Sequence, residues 1–319
     1  METMVNSAKA RVEALRREDS LVLLVFSDLH AKGAEDSVFQ KVKSQLQALT
    51  RAIPTDGIIN LGDNMGMLGR ETHVTNPDLK CIMTDMFSAL RSVVPCPLYL
   101  INGNHDAPGT DFFKPDFWND MVREELNALG AATTHGGWYY TDLREDVRLV
   151  FLSAPWQSNI ESEIPTPIWA FGAEQLTWLR EEALDTEKYV MLFCHVPMYD
   201  RYTGDMASML DVWTGNRAAK AYISTLCGWI DDAPEAVAIL EGFAKTHPGK
   251  LVGEFSGHTH ADSLWAPGEE KESVKNPLPC HQAVVRMAKE GLDVLVVTPS
   301  ARRVDLVRVG DGEDRSFGF

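Results

Sequence analysis

Five short motifs place carboxylates, imidazoles and one amide directly after apolar segments. They contain five of the nine histidines of the chain, a concentration that scattered structural histidines would not show. Mixed oxygen and imidazole ligands suit divalent first-row metal ions, whereas an oxygen-only set favours calcium or magnesium. The pattern therefore predicts a metal site. In chain order, the motifs are Asp28-Leu29-His30, Gly62-Asp63-Asn64, Gly103-Asn104-His105-Asp106, Cys194-His195 and Gly257-His258-Thr259-His260.

Strands must position the first three motifs. Residues 21–26, 57–61 and 97–101 are apolar segments typical of buried strands, and each ends where a motif begins. Apolar residues at helical spacing occupy the intervals 38–53 and 79–90. This alternation indicates an α/β fold with parallel strand pairs. Because ligands gather at the carboxyl ends of strands in open α/β sheets, the motifs are expected to converge there.

The later part of the chain is richer in strands. Several extended segments are separated only by short turns, which favours hairpins and therefore a mixed sheet or two packed sheets over one all-parallel sheet. The segments are 138–142, 147–154, 189–195, 251–257, 282–288, 292–298 and 303–309.

Residues 197–250 lack clear strands and carry helical periodicity instead. Pro234 lies between two periodic segments, where it suits the first turn of the second helix and not the interior of one long helix. The pattern predicts a helical insertion that could cover the site. Residues 1–20, which mix charged and small apolar side chains, are predicted to form an amphipathic helix.

In this order, the five motifs resemble those of the calcineurin-like metallophosphoesterases, and the resemblance spans roughly residues 21–309. It implies an α/β fold, a four-layer α/β/β/α sandwich with two mixed sheets and a two-metal centre between them. We accordingly expect residues 1–319 to form a single domain, with a 21–309 core and a helical insertion or cap at 197–250.

The resemblance also implies a ligand set, with Asp63 bridging two metal ions. The ligands of one ion come from the first and last motifs: Asp28, His30 and His260. The ligands of the other come from the third, fourth and last motifs: Asn104, His195 and His258. His105 is implied to lie beside the phosphate and outside the ligand sets, oriented by Asp106. The expected cofactors are two divalent or trivalent ions of Mn, Fe or Zn.

The implied reaction is hydrolysis of phosphoric esters, as a phosphomonoesterase or a phosphodiesterase. A metal-bridging water or hydroxide would attack phosphorus, and His105 would act as general acid. Asp63 can bridge because a carboxylate has two oxygens. The protein serine/threonine phosphatase branch is disfavoured, since Asn64 and Asp106 stand where that branch has arginine and glutamate. Two alternatives stay open, namely a cyclic-nucleotide phosphodiesterase and a non-catalytic binding module on the same fold.

Charge and composition limit the partners. The chain has 30 basic and 46 acidic residues and a formal net charge of −16. Affinity for polyphosphate backbones comes mainly from Lys and Arg, so a long nucleic acid is not expected as a partner. A small-molecule phosphate ester is the expected substrate.

Location is inferred from the apolar segments and the cysteines. No segment approaches the roughly 20 apolar residues that cross a bilayer, so no membrane partner is expected. Residues 1–20 lack the apolar core of a secretory signal. The five cysteines form no CxxC pair and are odd in number, which favours a reducing, cytoplasmic compartment. The oligomeric state is left open.

Overall fold

The structure is a computed structural model with five described helices. They are α1 (Glu2–Leu15), α2 (Ser37–Ala52), α3 (Asn76–Arg91), α4 (Ala173–Trp178) and α5 (Ala233–Thr246). A π-helical turn, Leu179–Ala183, continues α4. None of the helices in the described ranges is long and apolar enough to cross a membrane. The described residues are 1–66, 76–106, 137–154, 156–158, 167–198, 230, 232–271 and 274–319.

Twelve of the described strands belong to two six-stranded sheets. The first sheet has the order β16-β15-β14-β1-β2-β3, and the second has the order β10-β13-β9-β8-β5-β4. Two separate hairpins, β6-β7 and β11-β12, complete the described strands. The strands are β1 (Leu21–Phe26), β2 (Gly57–Asn60), β3 (Leu98–Leu100), β4 (Tyr139–Arg144), β5 (Val147–Leu152), β6 (Trp156–Ser158), β7 (Pro167–Trp169), β8 (Tyr189–Cys194), β9 (Leu251–Ser256), β10 (Ser263–Trp265), β11 (Glu270–Lys271), β12 (Val274–Lys275), β13 (Gln282–Val284), β14 (Gly291–Thr298), β15 (Arg303–Gly310) and β16 (Arg315–Gly318).

Both large sheets are mixed, as expected. In the first sheet, β1, β2 and β3 run parallel, whereas β14, β15 and β16 are joined by antiparallel ladders. In the second sheet, β5, β8, β9 and β13 run parallel, and the edge strands β4 and β10 are antiparallel to their neighbours. Each of the five motifs follows a parallel strand, namely β1, β2, β3, β8 or β9, so the motifs lie at the carboxyl ends of these strands.

The apolar core has two parts, and together they define four layers. The larger part joins α1, α2 and α3 to the first sheet and continues onto the inner face of the second sheet. Between the sheets, Phe151 stacks on Tyr139 and Phe193 with ring centroids 4.4 and 5.1 Å apart. The smaller part covers the outer face of the second sheet with α4 and α5. This arrangement confirms the α/β/β/α sandwich.

Local sequence explains why helix α2 begins where it does. The side chain of Asp36 accepts a hydrogen bond from the backbone N–H of Val38 at 2.8 Å and so caps the first turn. Phe39, Val42 and Leu46 follow at helical spacing and are fully buried. The helix therefore returns the chain to the start of β2 with one apolar face on the sheet.

Most predicted elements are confirmed, and six short strands are additional. Helix α1 forms within residues 1–20, and Pro234 lies in the first turn of α5. The predicted helical segment before α5 lies outside the described residues, apart from Ile230. The sequence did not indicate β6, β7, β10, β11 and β12, each of two or three residues, or β16, which has the sequence Arg-Ser-Phe-Gly. The single domain and the cap over the site stay predictions.

Glu254 on β9 is a fully buried carboxyl in the second sheet. Burial raises its pKa to about 8, against the opposing effect of hydrogen bonds from Gln282 and Ser256. Burial and the Glu254 carboxyl both raise the pKa of the thiols of Cys194 and Cys280. The folded chain therefore keeps a proton on Glu254 over a pH range in which an unfolded chain, with an ordinary glutamate pKa, releases it.

This difference predicts a pH-dependent effect of Glu254→Gln on stability. Between the ordinary pKa of 4.5 and about 8, the folded state holds the extra proton, so the free energy of unfolding of the wild type falls as the pH rises. Glutamine has no proton to lose. We expect the stability of Glu254→Gln relative to wild type to increase from pH 5 to pH 8, measured by urea unfolding of metal-free protein. The exposed control Glu241→Gln should show no such trend, and a flat difference for Glu254→Gln would contradict the prediction.

Candidate metal centre

Hydrogen bonds between loops bring the first two motifs together beyond the ends of β1 and β2. The N–H of Asp28 donates to Gly62 O at 3.0 Å, and the N–H of His30 donates to Asp63 O at 3.0 Å. On the second sheet, the N–H of Gly257 donates to His195 O at 3.0 Å. The peptide groups of neighbouring loops therefore fix each motif against the next.

The backbone at the predicted ligands is unusual. Six described non-glycine residues have positive φ, and five of them are predicted metal ligands. Such left-handed conformations are uncommon outside glycine and persist only where the surroundings enforce them. Their concentration here marks a constrained functional site. The five are Asp28 (φ 55°), His30 (46°), Asp63 (53°), His258 (67°) and His260 (61°).

Two glycines permit the close approach of the second and third motifs. Gly62 has φ of 96°, and a Cβ at this position would lie 2.5 Å from Gly103 N. A Cβ on Gly103 would collide with the carboxylate of Asp63. Neither position can hold a side chain without moving the loop that carries Asp63.

One ligand cluster contains Asp28, His30, Asp63 and His260. The Nε2 atoms of His30 and His260 are 2.9 Å apart, and Asp28 Oδ1 lies 3.3 Å from His260 Nε2 and 3.7 Å from His30 Nε2. Ligand atoms held about 2.0–2.2 Å from one ion are separated by about 3 Å from each other, so these spacings suit a shared cation.

A second ligand cluster contains Asp63, His195 and His258, all buried. His195 Nε2 lies 3.4 Å from Asp63 Oδ1. On its other side, His195 Nδ1 is 2.7 Å from Leu61 O, a carbonyl that can only accept, so Nδ1 carries the proton. This contact leaves Nε2 as the ligand atom and fixes the ring, as outer partners of metal-bound histidines do.

Asp63 belongs to both clusters and turns one oxygen toward each. Its Oδ1 faces His195, whereas its Oδ2 lies 3.8 Å from His30 Nε2. The same Oδ1 accepts a hydrogen bond from the N–H of His105 at 2.7 Å. The carboxylate is therefore held in one orientation between the two sets of histidines.

The environment of Asp28 tests whether a cation fits. Asp28 Oδ2 accepts a hydrogen bond from the N–H of His258 at 3.0 Å. Its Oδ1 is buried and accepts no hydrogen bond from the described residues, and it faces the two Nε2 atoms of the first cluster. Leaving a buried carboxylate oxygen without a partner is costly. A cation at this position would satisfy it, so the residues present fit a metal ion.

A family model described as calcineurin-like phosphoesterase matches residues 21–262. The chain belongs to the calcineurin-like phosphoesterase family. It is on that ground a phosphoric ester hydrolase, and membership implies two metal ions. A comparison with curated proteins finds no match.

Two solved structures share the fold of this phosphoesterase. A dimetal phosphatase from Danio rerio is 12% identical in sequence with a TM-score of 0.59, and the match covers 94% of this chain and 99% of that one. The structure of PhoD is 12% identical with a TM-score of 0.55, covering 95% of this chain and 69% of that one. At these identities the likeness concerns the fold alone.

The third motif of this phosphoesterase forms a 3₁₀ turn, Asn104–Asp106. The side chain of Asn104 lies outside the described atoms, so its predicted ligation stays a prediction. His105 Nε2 lies 3.9 Å from Asp63 Oδ2, and the His105 ring packs edge-on against His30 at 4.7 Å between centroids. The His105 side chain is 18% exposed, so it borders the centre and also reaches solvent.

Asp106 connects the third motif to the second. Its two oxygens accept hydrogen bonds from the N–H groups of Gly103 (2.9 Å), Asn64 (2.8 Å) and Met65 (3.2 Å) and from Asn64 Nδ2 (3.1 Å). Burial, together with the Asp63 charge, raises its pKa to about 6. These hydrogen bonds give Asp106 a structural role that the sequence did not indicate. Its predicted orientation of His105 stays a prediction.

Electrostatics in the second cluster follow from one buried negative charge. Burial alone would raise the pKa of Asp63, but His195 and His105 hold it well below its usual value. Burial alone would lower the pKa of His195, but Asp63 raises it to about 9. For His258, burial and the neighbouring His195 lower the pKa to about 3. A bound cation would supply the positive charge that protonated His195 otherwise provides.

Sequence reasoning missed two supporting residues of the phosphoesterase site. Asn60 Nδ2 donates to Asn64 Oδ1 at 2.5 Å, and Asn60 Oδ1 accepts from the N–H of Gly62 at 3.0 Å. Both asparagines are fully buried and hold the turn that carries Asp63. Asn60 ends β2 and Asn64 directly follows Asp63, so their positions close to Asp63 in the sequence were the available signal.

Asp63→Asn is predicted to lower the metal content of the purified protein. Asparagine keeps the shape but removes the charge and one of the two anionic oxygens shared by the clusters. We expect fewer than two ions per chain, measured by inductively coupled plasma mass spectrometry after dialysis. Asp311→Asn, at an exposed position, should bind metal like the wild type. Wild-type metal content in Asp63→Asn would contradict the prediction.

Proposed function

We propose that this phosphoesterase hydrolyses small-molecule phosphate esters with two metal ions held on either side of Asp63. The observation that carries the proposal is the orientation of the Asp63 carboxylate, with Oδ1 3.4 Å from His195 Nε2 and Oδ2 3.8 Å from His30 Nε2. A carboxylate presented in this way can bridge two cations. No other described residue belongs to both ligand clusters.

The proposed ligands divide between the two sheets. One ion is held by residues that follow β1 and β9: Asp28, His30 and His260. The other is held by residues that follow β3, β8 and β9: Asn104, His195 and His258. The carboxylate and imidazole donors favour Mn, Fe or Zn. When bound, two such ions lower the pKa of water toward neutrality and attract phosphate oxygens.

His105 is the proposed general acid. It lies outside both described ligand clusters, its backbone N–H is fixed on Asp63, and its ring reaches solvent. From this position, a protonated Nε2 can donate to the leaving oxygen of an ester as its bond to phosphorus breaks.

The net charge of the chain bears on the size of the proposed substrate. The net charge of −16 opposes long polyanions, so we propose a small phosphate ester as substrate.

Of the five cysteines, the four in described segments are not in disulfides: Cys81, Cys96, Cys194 and Cys280. These thiols support the proposal of a reducing, cytoplasmic compartment.

Metal analysis combined with a substrate panel tests the proposed function. We expect two ions per chain and turnover of p-nitrophenyl phosphate, bis-p-nitrophenyl phosphate or a cyclic nucleotide, with activity lost on chelation and restored by Mn²⁺, Fe²⁺ or Zn²⁺. Activity on monoesters alone would remove both phosphodiesterase alternatives. Two bound ions without turnover of any ester would favour the non-catalytic binding module.

His105→Ala is predicted to lower kcat by about 10²–10⁴-fold with unchanged metal content, the range expected for loss of a general acid. The loss should be smaller for p-nitrophenyl phosphate than for an alkyl phosphate such as glycerol phosphate. The reason is that p-nitrophenolate, whose conjugate acid has a pKa of about 7, needs little protonation to leave. His247→Ala, at the C-terminal end of α5, is the matched control. Equal losses on both esters would contradict the assigned role.

A further inference from the structure

The turn that follows β9 carries one histidine of each ligand cluster. His258 and His260 both have left-handed backbone, with φ of 67° and 61°, and the N–H of Thr259 bonds to Gly257 O at 2.7 Å. Two such conformations within three residues are strained and need support from the surrounding structure.

One end of this turn is held by the centre itself. The N–H of Gly257 donates to His195 O at 3.0 Å, and the N–H of His258 donates to Asp28 Oδ2 at 3.0 Å. Both contacts lie on the side of His258. They leave the position of His260 to depend on what holds the other end of the turn.

Asp262, two residues after His260, holds the other end. Its Oδ1 accepts hydrogen bonds from the backbone N–H of Arg286 at 3.2 Å and from Arg308 Nη2. Arg315 Nη2 lies 3.4 Å from the same oxygen, and Arg286 Nε lies 3.4 Å from Oδ2. The Asp262 side chain is only 13% exposed, so three guanidinium groups surround a nearly buried carboxylate.

Two of these arginines extend from the first sheet. Arg308 on β15 is 1% exposed at its side chain and also contacts Asp293 Oδ2 on β14 at 3.0 Å. Arg315 on β16 donates to the same Asp293 oxygen at 2.6 Å. Contacts with Asp293 on β14 therefore hold both guanidinium groups in place beside Asp262. Separating the partners of a buried ion-pair network leaves a buried charge unpaired, which is strongly destabilising. The side chains are therefore held in one arrangement.

Arg315 also contacts the second sheet directly. Its Nη1 donates to Ser263 O at 2.8 Å and to Val284 O at 2.7 Å, the first residue of β10 and the last of β13. One guanidinium thus spans the two sheets immediately beyond Asp262. The chain after His260 is tied to both sheets within three residues.

We propose that Asp262, held by Arg308 and Arg315, is a positioning residue that sets the placement of His260 and with it the metal affinity of the cluster formed by Asp28, His30 and His260. This inference rests on the proposed two-metal function. His258 is fixed independently through Asp28, so the cluster that contains His195 depends less on Asp262.

Metal binding to Asp262→Asn tests the proposal. We expect one of the two Mn²⁺ dissociation constants to rise about 10–100-fold in Asp262→Asn, as for other partners that orient metal ligands, while the second ion binds as in wild type. The measurement is equilibrium dialysis of metal-stripped, full-length protein against Mn²⁺. Arg315→Lys, which keeps the charge but not the forked contact, should give a smaller shift in the same direction.

A matched control separates positioning from general loss of structure. Asp305→Asn breaks the ion pair between Asp305 and Arg303 on β15, a pair that includes none of Asp262, Arg308 and Arg315. It should leave both dissociation constants unchanged. Urea unfolding of the metal-free variants provides the second readout. If Asp262→Asn weakened both ions equally in proportion to a lower free energy of unfolding, the residue would be merely structural and the proposal would be wrong.

The outcomes also separate this proposal from the function on which it rests. Two ions in wild type, with one site weakened in Asp262→Asn, support it. Two ions in both proteins with equal affinities would overturn the positioning role alone. A wild-type chain that binds no Mn²⁺, Fe²⁺ or Zn²⁺ would overturn the two-metal function and this inference together.

Discussion

The buried charge of Asp63 is the constraint on which the site and the arrangement of the two sheets depend. Its carboxylate lies against His30 from the first sheet and His195 from the second, and it accepts a hydrogen bond from the N–H of His105. A buried carboxylate is stable only when it is paired or bound to a cation. The sandwich brings histidines of both sheets to one side chain, and a single sheet could not do so.

The same centre stores local strain that hydrogen bonds offset. Left-handed backbone at a non-glycine residue costs about 1–3 kcal/mol, and five proposed ligands adopt it. Short bonds between loops, such as those from Asp28 N to Gly62 O and from His30 N to Asp63 O, hold the strained turns in register. The carboxylate of Asp106 accepts four more hydrogen bonds, from Gly103, Asn64 and Met65 in the second and third turns. These hydrogen bonds of the fold order the ligands, which lowers the ordering cost of cation binding.

Sequence patterns predicted much of this arrangement because an apolar strand and the polar motif that follows it are neighbours in the sequence. Each apolar strand ends where its motif begins, so Asp28, Asp63 and His195 could be placed at the carboxyl ends of strands from the sequence alone. The supports could not be predicted in this way. Asp262 and Arg308 are 46 residues apart and carry charges that are typical of a surface. Their burial depends on the pairing of β14, β15 and β16, and β16 has too few apolar residues to be recognised in advance.

Charge acts differently at the centre and over the rest of the chain. Asp28, Asp63 and Asp106 are the acidic residues of the described segments that are assigned to the proposed site, so most of the −16 net charge is carried by other residues. That charge repels long polyanions, whose many phosphates would interact with much of the surface. Two bound cations would reverse the sign locally, and their attraction would act over about one Debye length, roughly 8–10 Å. The proposed small substrate, with one or two phosphate groups, would fit within that distance, whereas a nucleic-acid chain would extend into the repulsive field beyond it.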